Sequence, residues 1–285
     1  MGKLGEKNPG DIVKIKENNV LMDFIVLQHN YPNPTDANTL ILRKDLIERV
    51  QWNTTLVNAY SGSYIDNWLN TTYMSKLDSA VQECISSVTI PYTIGNMNWT
   101  VSTITRKIFL LSLTELGISH ANANVEGVAI PYFSSNATRI AKYNNNPLYW
   151  WTRSPFINVD KTAAQAIDVD GDRMISQLAV TNDWGARPAF CFPSNAVVTD
   201  GGEITGEVDN SGVMLIPSSV LVAGETYNIR IFPRNNYSQF QTAIDGSSLQ
   251  ITFTNGQSAE AYSIAEAKAK EMKQALTILG VNVNV

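Results

Sequence analysis

Charge is scarce in this chain. Of 285 residues, 21 are Lys or Arg and 26 are Asp or Glu, a charged fraction of 16% and a net charge of −5. Soluble domains usually carry about a quarter. The Lys and Arg residues form no cluster or stripe, and a negative balance repels phosphate, so nucleic acid is not an expected partner. No stretch approaches the roughly 20 consecutive apolar residues of a membrane-spanning helix, so no membrane span is expected. The opening Met1-Gly-Lys-Leu-Gly-Glu-Lys7 has no apolar run to act as an export signal. Histidine is limited to His29 and His120, too few for a three-histidine zinc site and not placed beside a nucleophile motif. The two cysteines, Cys84 and Cys191, are far apart in sequence and read as two buried thiols.

What is present is a neutral polar chain, rich in Asn, Thr and Ser, with a hydrophobic fraction of 44% that is ample for a sizeable core. Such a surface suits close assembly with other proteins or with copies of itself. Five Asn-x-Ser/Thr sites, at Asn53, Asn70, Asn98, Asn136 and Asn236, are read as chance in so Asn- and Thr-rich a chain.

The most informative feature is an ordered set of three blocks: Tyr149-Trp-Trp-Thr-Arg-Ser-Pro155, Ala166-Ile-Asp-Val-Asp-Gly-Asp172 and Gly185-Ala-Arg-Pro-Ala-Phe190. Trp150 and Trp151 can each bury ~150–250 Å² of ring. Arg153 and Arg187 offer planar forks able to lock loop carbonyls or a carboxylate. We read these four residues as interior braces.

These blocks resemble a domain-of-unknown-function family common in bacteriophage and Gram-positive bacterial genomes, with a Trp-Trp-Leu-Arg-Ser-Pro-like segment, a hairpin and a closing Val-Arg-Pro-Ala. Thr152 stands for the leucine and Ala186 for the valine. Asn8-Pro-Gly-Asp11, Asp66-Asn-Trp-Leu-Asn70 and Lys107-Ile-Phe-Leu-Leu-Ser-Leu-Thr-Glu115 fit the same pattern. The plan is distantly similar to C-type lectins and sulfatase-modifying enzymes. The resemblance implies an α+β, C-type-lectin-like domain over 1–193, with short antiparallel sheets and two or three helices. A β-rich assembly region, 203–285, ends in a helix.

Along the chain, Asp11–Lys16 and Leu21–Leu27 read as strands joined at Asn18-Asn19, and Thr39–Arg43 as a third. Asp45–Val50 reads as a short helical turn, Tyr64–Asn70 as a helix, and Thr71–Ser86 as a second with Met74, Leu77, Val81 and Ile85 at helical spacing. Ile104–Leu113 is β-like and enters a helix at 114–117. Asn144–Pro147 reads as a loop. Ala163–Val169 and Arg173–Val180 flank Asp170-Gly171, a hairpin turn. Beyond Asp200-Gly-Gly202, strands are expected at 213–216, 219–222, 226–232 and 249–253. Ser263-Ile-Ala-Glu266 opens a helix to Leu279, and Val281–Val285 alternates like an edge strand.

Two local patterns are candidate sites. Asp168, Asp170 and Asp172 are spaced like the opening of a calcium loop, although Ala179 stands where a bidentate glutamate would close it. Asn182-Asp183-Trp184 pairs polar groups with a ring, as sugar sites do. Glu115 and Asp66 raise a paired-carboxylate reading, which we rank below a non-catalytic one. The expected function is a bacteriophage virion structural protein, on capsid, tail or baseplate. It would bind other virion proteins, copies of itself and host-surface glycans, and no cofactor is expected; a calcium ion at the aspartates is the minority reading beside a plain hairpin turn. A stand-alone carbohydrate-binding adhesin is the alternative, and an enzyme of sulfatase-modifying type the remaining one.

Overall fold

A computed structural model describes residues 1–157, 161–172 and 178–209, and five short strands beyond them. The chain divides into two units, Met1–Asp209 and Asn210–Val285. The first is mostly sheet with few helices, an α+β arrangement.

Its centre is a five-stranded antiparallel sheet in the order Ile12–Glu17, Val20–His29, Asn38–Arg43, Ala189–Pro193, Ile108–Phe109. Apolar residues run almost without interruption along these strands because both faces are covered. One face sends Phe24, Val26, Ile41, Ile108, Phe190 and Phe192 into one core cluster. The alternate residues Ile25, Leu27, Leu40, Leu42, Phe109 and Cys191 enter a second cluster on the other side. Adjacent residues on a strand point oppositely. Trp151 therefore joins the first cluster and Trp150 the second, although both lie on Trp150–Pro155.

That strand lies in a second five-stranded sheet, ordered Leu178–Ala179, Ala163–Ile167, Trp150–Pro155, Asp183–Gly185, Arg49–Gln51. Trp150 and Gly185 meet in a parallel pairing; the other neighbours are antiparallel. Gly185 is required by close packing, since a Cβ there would collide with Leu46. The first unit continues past residue 193 through Ala196–Val198 and Ile204–Val208, which form a small sheet with Gly2–Lys3.

Asn18-Asn19 makes the expected tight turn, with φ of 50° and 66°. Two further turns repeat it: Asn96-Met97 at 51° and 66°, and Asn144-Asn145 at 49° and 65°. Asn tolerates the left-handed region that a two-residue hairpin demands. Asn144–Pro147, expected to be a loop, is thus a small hairpin between Lys142–Tyr143 and Asn146–Pro147.

Three helical expectations change. Asp45–Val50 is not a helical turn; its end becomes the strand Arg49–Gln51, paired to Asp183–Gly185. The expected helix 71–86 is broken. An α-helix at Tyr64–Trp68 runs through a π turn, Leu69–Tyr73, and a 3-10 turn, Met74–Lys76; the chain extends at Leu77 and turns helical again at Ser79–Cys84. The helical spacing of Met74, Leu77, Val81 and Ile85 holds for burial but not for backbone, because Asp78 restarts the helix as its N-terminal flank. Ser112–Gly117 is a set of turns closed by Gly117 at φ 71°.

In the second unit, Val213–Leu215 pairs with Glu260–Tyr262, and Thr226–Ile229 with Leu249–Thr252, which also pairs with Asn282–Asn284. Strands were expected at four of these places, and Glu260–Tyr262 was not expected. The expected strand 219–222 and helix 263–279 lie outside the described residues, as do 173–177 of the hairpin.

Candidate functional site

The four brace residues are interior: Trp150, Trp151 and Arg153 are fully buried and Arg187 is 1% exposed. Both indole N–H groups reach backbone carbonyls, Trp150 that of Arg139 at 3.1 Å and Trp151 that of Val50 at 2.9 Å. Buried rings of this kind need such acceptors.

Arg153 is the hub of a buried polar centre. It grips Glu115 with two bonds, 2.6 and 2.8 Å, and donates to the carbonyls of Pro91 and Leu110 at 2.9 Å each. Tyr31 donates its hydroxyl to Glu115 at 2.7 Å, and the Ser112 amide donates to the other carboxylate oxygen at 2.9 Å. Burial alone pulls the guanidinium pKa down; the carboxylate beside it more than reverses that, and the pKa is raised. Glu126 lies alongside, accepting from the Thr93 amide and from Ser154. Its burial pushes the carboxyl pKa up, opposed by the Arg153 charge.

A second centre joins Arg43 to Glu17 by a bidentate pair, with Tyr73 donating to Glu17 at 2.7 Å. Asp66 belongs to a third: Arg106 holds both its oxygens at 2.7 Å and the Gly62 amide adds 2.8 Å. Glu115 and Asp66, considered together from sequence, are therefore bound to different arginines. Among the described residues, Arg187 has no carboxylate as a hydrogen-bond partner. It donates to the carbonyls of Arg43, Lys44 and Arg139 and lies 4.9 Å over the Trp150 ring. Burial lowers its pKa to about 10.

Among the described residues, the aspartate block is engaged in its own turn. One oxygen of Asp168 accepts the amides of Asp170 and Asp172 at 3.0 Å each, closing its own turn. Gly171, at φ 79°, is pressed onto Asn136, whose carbonyl a Cβ would strike. Among the described residues no three His, Cys, Asp or Glu side chains converge as metal ligands. Cys191 is buried in one apolar cluster and Cys84 packs against the other; burial raises both thiol pKa values.

Asn182, Asp183 and Trp184 do reach a surface. Pairing of Asp183–Gly185 with Arg49–Gln51 brings Arg49 over the Trp184 ring at 5.7 Å, and its Nε donates to the Asp183 carbonyl at 3.1 Å. Tyr149 meets the same ring edge-on at 4.9 Å. Asn182 and Asp183 are exposed and Trp184 is half-buried. The Trp184 indole N–H points inward without an acceptor, which leaves ring surface rather than a donor for an outside ligand. A second concavity, of about 210 Å³, is lined by Gly117, Ile118, His120, Ala123 and Val125. It is below the ~300 Å³ at which small-molecule sites begin.

A family model described as a domain of unknown function, DUF6273, matches residues 36–194, more than half of the chain. The chain belongs to this family. No curated protein and no solved structure matches it. The matched DUF6273 segment contains every candidate residue above, but not Tyr31 or Glu17, which complete two of its buried centres. Arg49, Tyr149, Glu126 and Tyr31 were not singled out from sequence. Tyr149 adjoins the double tryptophan and was within reach; Glu126 and Tyr31 lie in loops with no pattern around them.

Proposed function

We propose that this DUF6273 chain is a non-catalytic binding scaffold of C-type-lectin-like plan, carried in many copies on a bacteriophage particle. Its ligand-facing patch is Trp184 with Asn182, Asp183, Arg49 and Tyr149. One observation carries the scaffold reading: Trp150, Trp151, Arg153 and Arg187 are spent on interior bracing, and the carboxylates Glu17, Asp66 and Glu115 each meet an arginine inside the fold. Ionised groups held this way rigidify a body and are poorly placed for proton transfer. The patch is the part built for contact. It offers a ring stack flanked by exposed amide and carboxylate groups, which suits sugar hydroxyls over an apolar sugar face. Individual contacts of that size are weak, and many copies on one particle multiply them.

Binding of the purified full chain to a glycan array or to cell-wall polysaccharide tests the patch. Retention is expected, with loss in Trp184→Ala at unchanged circular dichroism. Absence of retention on every glycan tested overturns the sugar reading, and absence of the protein from purified particles by mass spectrometry overturns the virion reading.

A further inference from the structure

The hairpin Val88–Gly95 and Asn98–Arg106 stands apart from both large sheets as a two-stranded ladder. Its first strand is tied to the body, because the Pro91 carbonyl accepts from Arg153 and the Thr93 amide donates to Glu126. These two bonds fix the phase of the ladder. Pro91 and Thr93 turn their backbone groups away from the neighbouring strand. Their opposites Thr103 and Val101 must then do the same on the other side. Those outward groups have no partner beyond the hairpin among the described residues. The ends of the row are occupied: the Trp99 carbonyl accepts from Asn124 at 2.6 Å and the Thr105 carbonyl from Arg106 at 2.9 Å.

Among the described residues, the edges of the three larger sheets of the first unit are blunted in a familiar way. Ile12–Glu17 carries Lys14, Lys16 and Glu17, and the Lys14 amide is taken by Gly202. Ile108–Phe109 is two residues long and Asn70 caps its amide and carbonyl. Leu178–Ala179 and Gly2–Lys3 are equally short, and Arg49–Gln51 is three residues with an exposed arginine. Ile204–Val208 is packed on the Ser79–Cys84 helix, with Gly206 against Ala80. Between the register shift near its turn and Arg106 at its far end, the middle of Asn98–Arg106 has no such protection among the described residues. From Asn98 to Thr105 there is no charge and no proline, and Val101, Thr103 and Thr105 are exposed.

We propose that this edge is a homotypic interface, in which two copies of the chain pair Asn98–Arg106 antiparallel about a two-fold axis at Ser102. In that register Val101 of one copy exchanges both backbone bonds with Thr103 of the other, and Trp99 lies opposite Thr105. The two Ser102 residues face each other as a close, non-hydrogen-bonded pair. A second copy fits better than an unrelated strand for a reason of charge. The single charge, Arg106, sits at one end, so self-pairing sets it against Asn98 and never against another Arg106. The contact is isologous and closes as a dimer with a four-stranded sheet across it. It does not depend on whether the Trp184 patch binds sugar.

The full chain is tested by sedimentation from micromolar to sub-millimolar concentration. A concentration-dependent dimer is expected. Thr103→Pro deletes an outward N–H and no bond of the hairpin itself, so it should raise the dissociation constant about tenfold or more, with unchanged circular dichroism. Ser102→Cys should give a thiol-reducible dimer on mild oxidation, whereas Ser61→Cys, exposed elsewhere, should not. Trp184→Ala should dimerise like the wild type, which keeps this outcome separate from that of glycan binding. A wild-type chain that stays monomeric, or a dimer indifferent to Thr103→Pro, overturns the interface. Failure of Ser102→Cys to cross-link does so even if the proline variant misfolds.

Discussion

Arg153 and Arg187 come from blocks that look alike, each an arginine near a proline and bulky aromatics, and both end fully inside the protein. Their surroundings are opposite. Arg153 is neutralised by Glu115, and its pKa is raised; Arg187 is held by three carbonyls and an indole face, and its pKa falls to about 10. Burial of a guanidinium thus says little about how its charge is balanced. One is half of an ion pair spanning 38 residues of chain; the other is a clip that fastens the turn at Arg43-Lys44 and the loop at Arg139 to the Trp150 strand.

The difference can be broken experimentally. The largest effect is expected from Glu115→Ala, which strands the Arg153 charge and should cost about 3–5 kcal/mol in chemical denaturation. A loss well under 1 kcal/mol, against that expectation, means the pair is dispensable. Arg187→Met is expected to cost less, about 2 kcal/mol. It orphans carbonyls at roughly 1–3 kcal/mol each but also removes a buried charge whose described hydrogen bonds reach only carbonyls. If Arg187→Met proves the more harmful, the ranking of ion pair over clip is wrong.

Glu126 sharpens the comparison through pH. Its folded pKa is raised, so the stability it contributes is fully present below the unfolded carboxyl value and is lost as pH rises through the folded one. Glu126→Gln should therefore improve relative to the wild type between about pH 4 and neutrality, read as the shift in urea midpoint. An unchanged difference over that range would mean the carboxyl titrates normally. The smallest effect belongs to Arg49→Ala, which removes the exposed counterpart of the Arg187–Trp150 stack, at roughly 0.5–1 kcal/mol by thermal melting.

The sequence made the braces legible because bulky rings and forked cations next to prolines have few other uses in a sparsely charged chain. The first hairpin was equally plain, since Asn18-Asn19 separates two strand-like apolar runs. The hairpin 88–106 went unread. Its turn, Asn96-Met97, places a methionine where Asn or Gly usually supplies the left-handed backbone, yet the same backbone appears. Partner choice was not legible at all. Nothing in spacing assigns Glu115 to Arg153 and Asp66 to Arg106, because antiparallel strands and long loops bring together positions 38 and 40 residues apart. The aspartate triplet was ambiguous for a related reason. Its i, i+2, i+4 spacing fits a cation loop and a tight turn alike, and in the structure Asp168 accepts the amides of Asp170 and Asp172 within its own turn.

The span that the family model matches, 36–194, omits Val20–His29 and Ile12–Glu17, two of the five strands of the central sheet. It also omits Tyr31 and Glu17, whose oxygens complete two of the interior ionic centres. The matched segment therefore ends inside this sheet, and the strands and ionic partners that complete it in this chain come from residues upstream of the match.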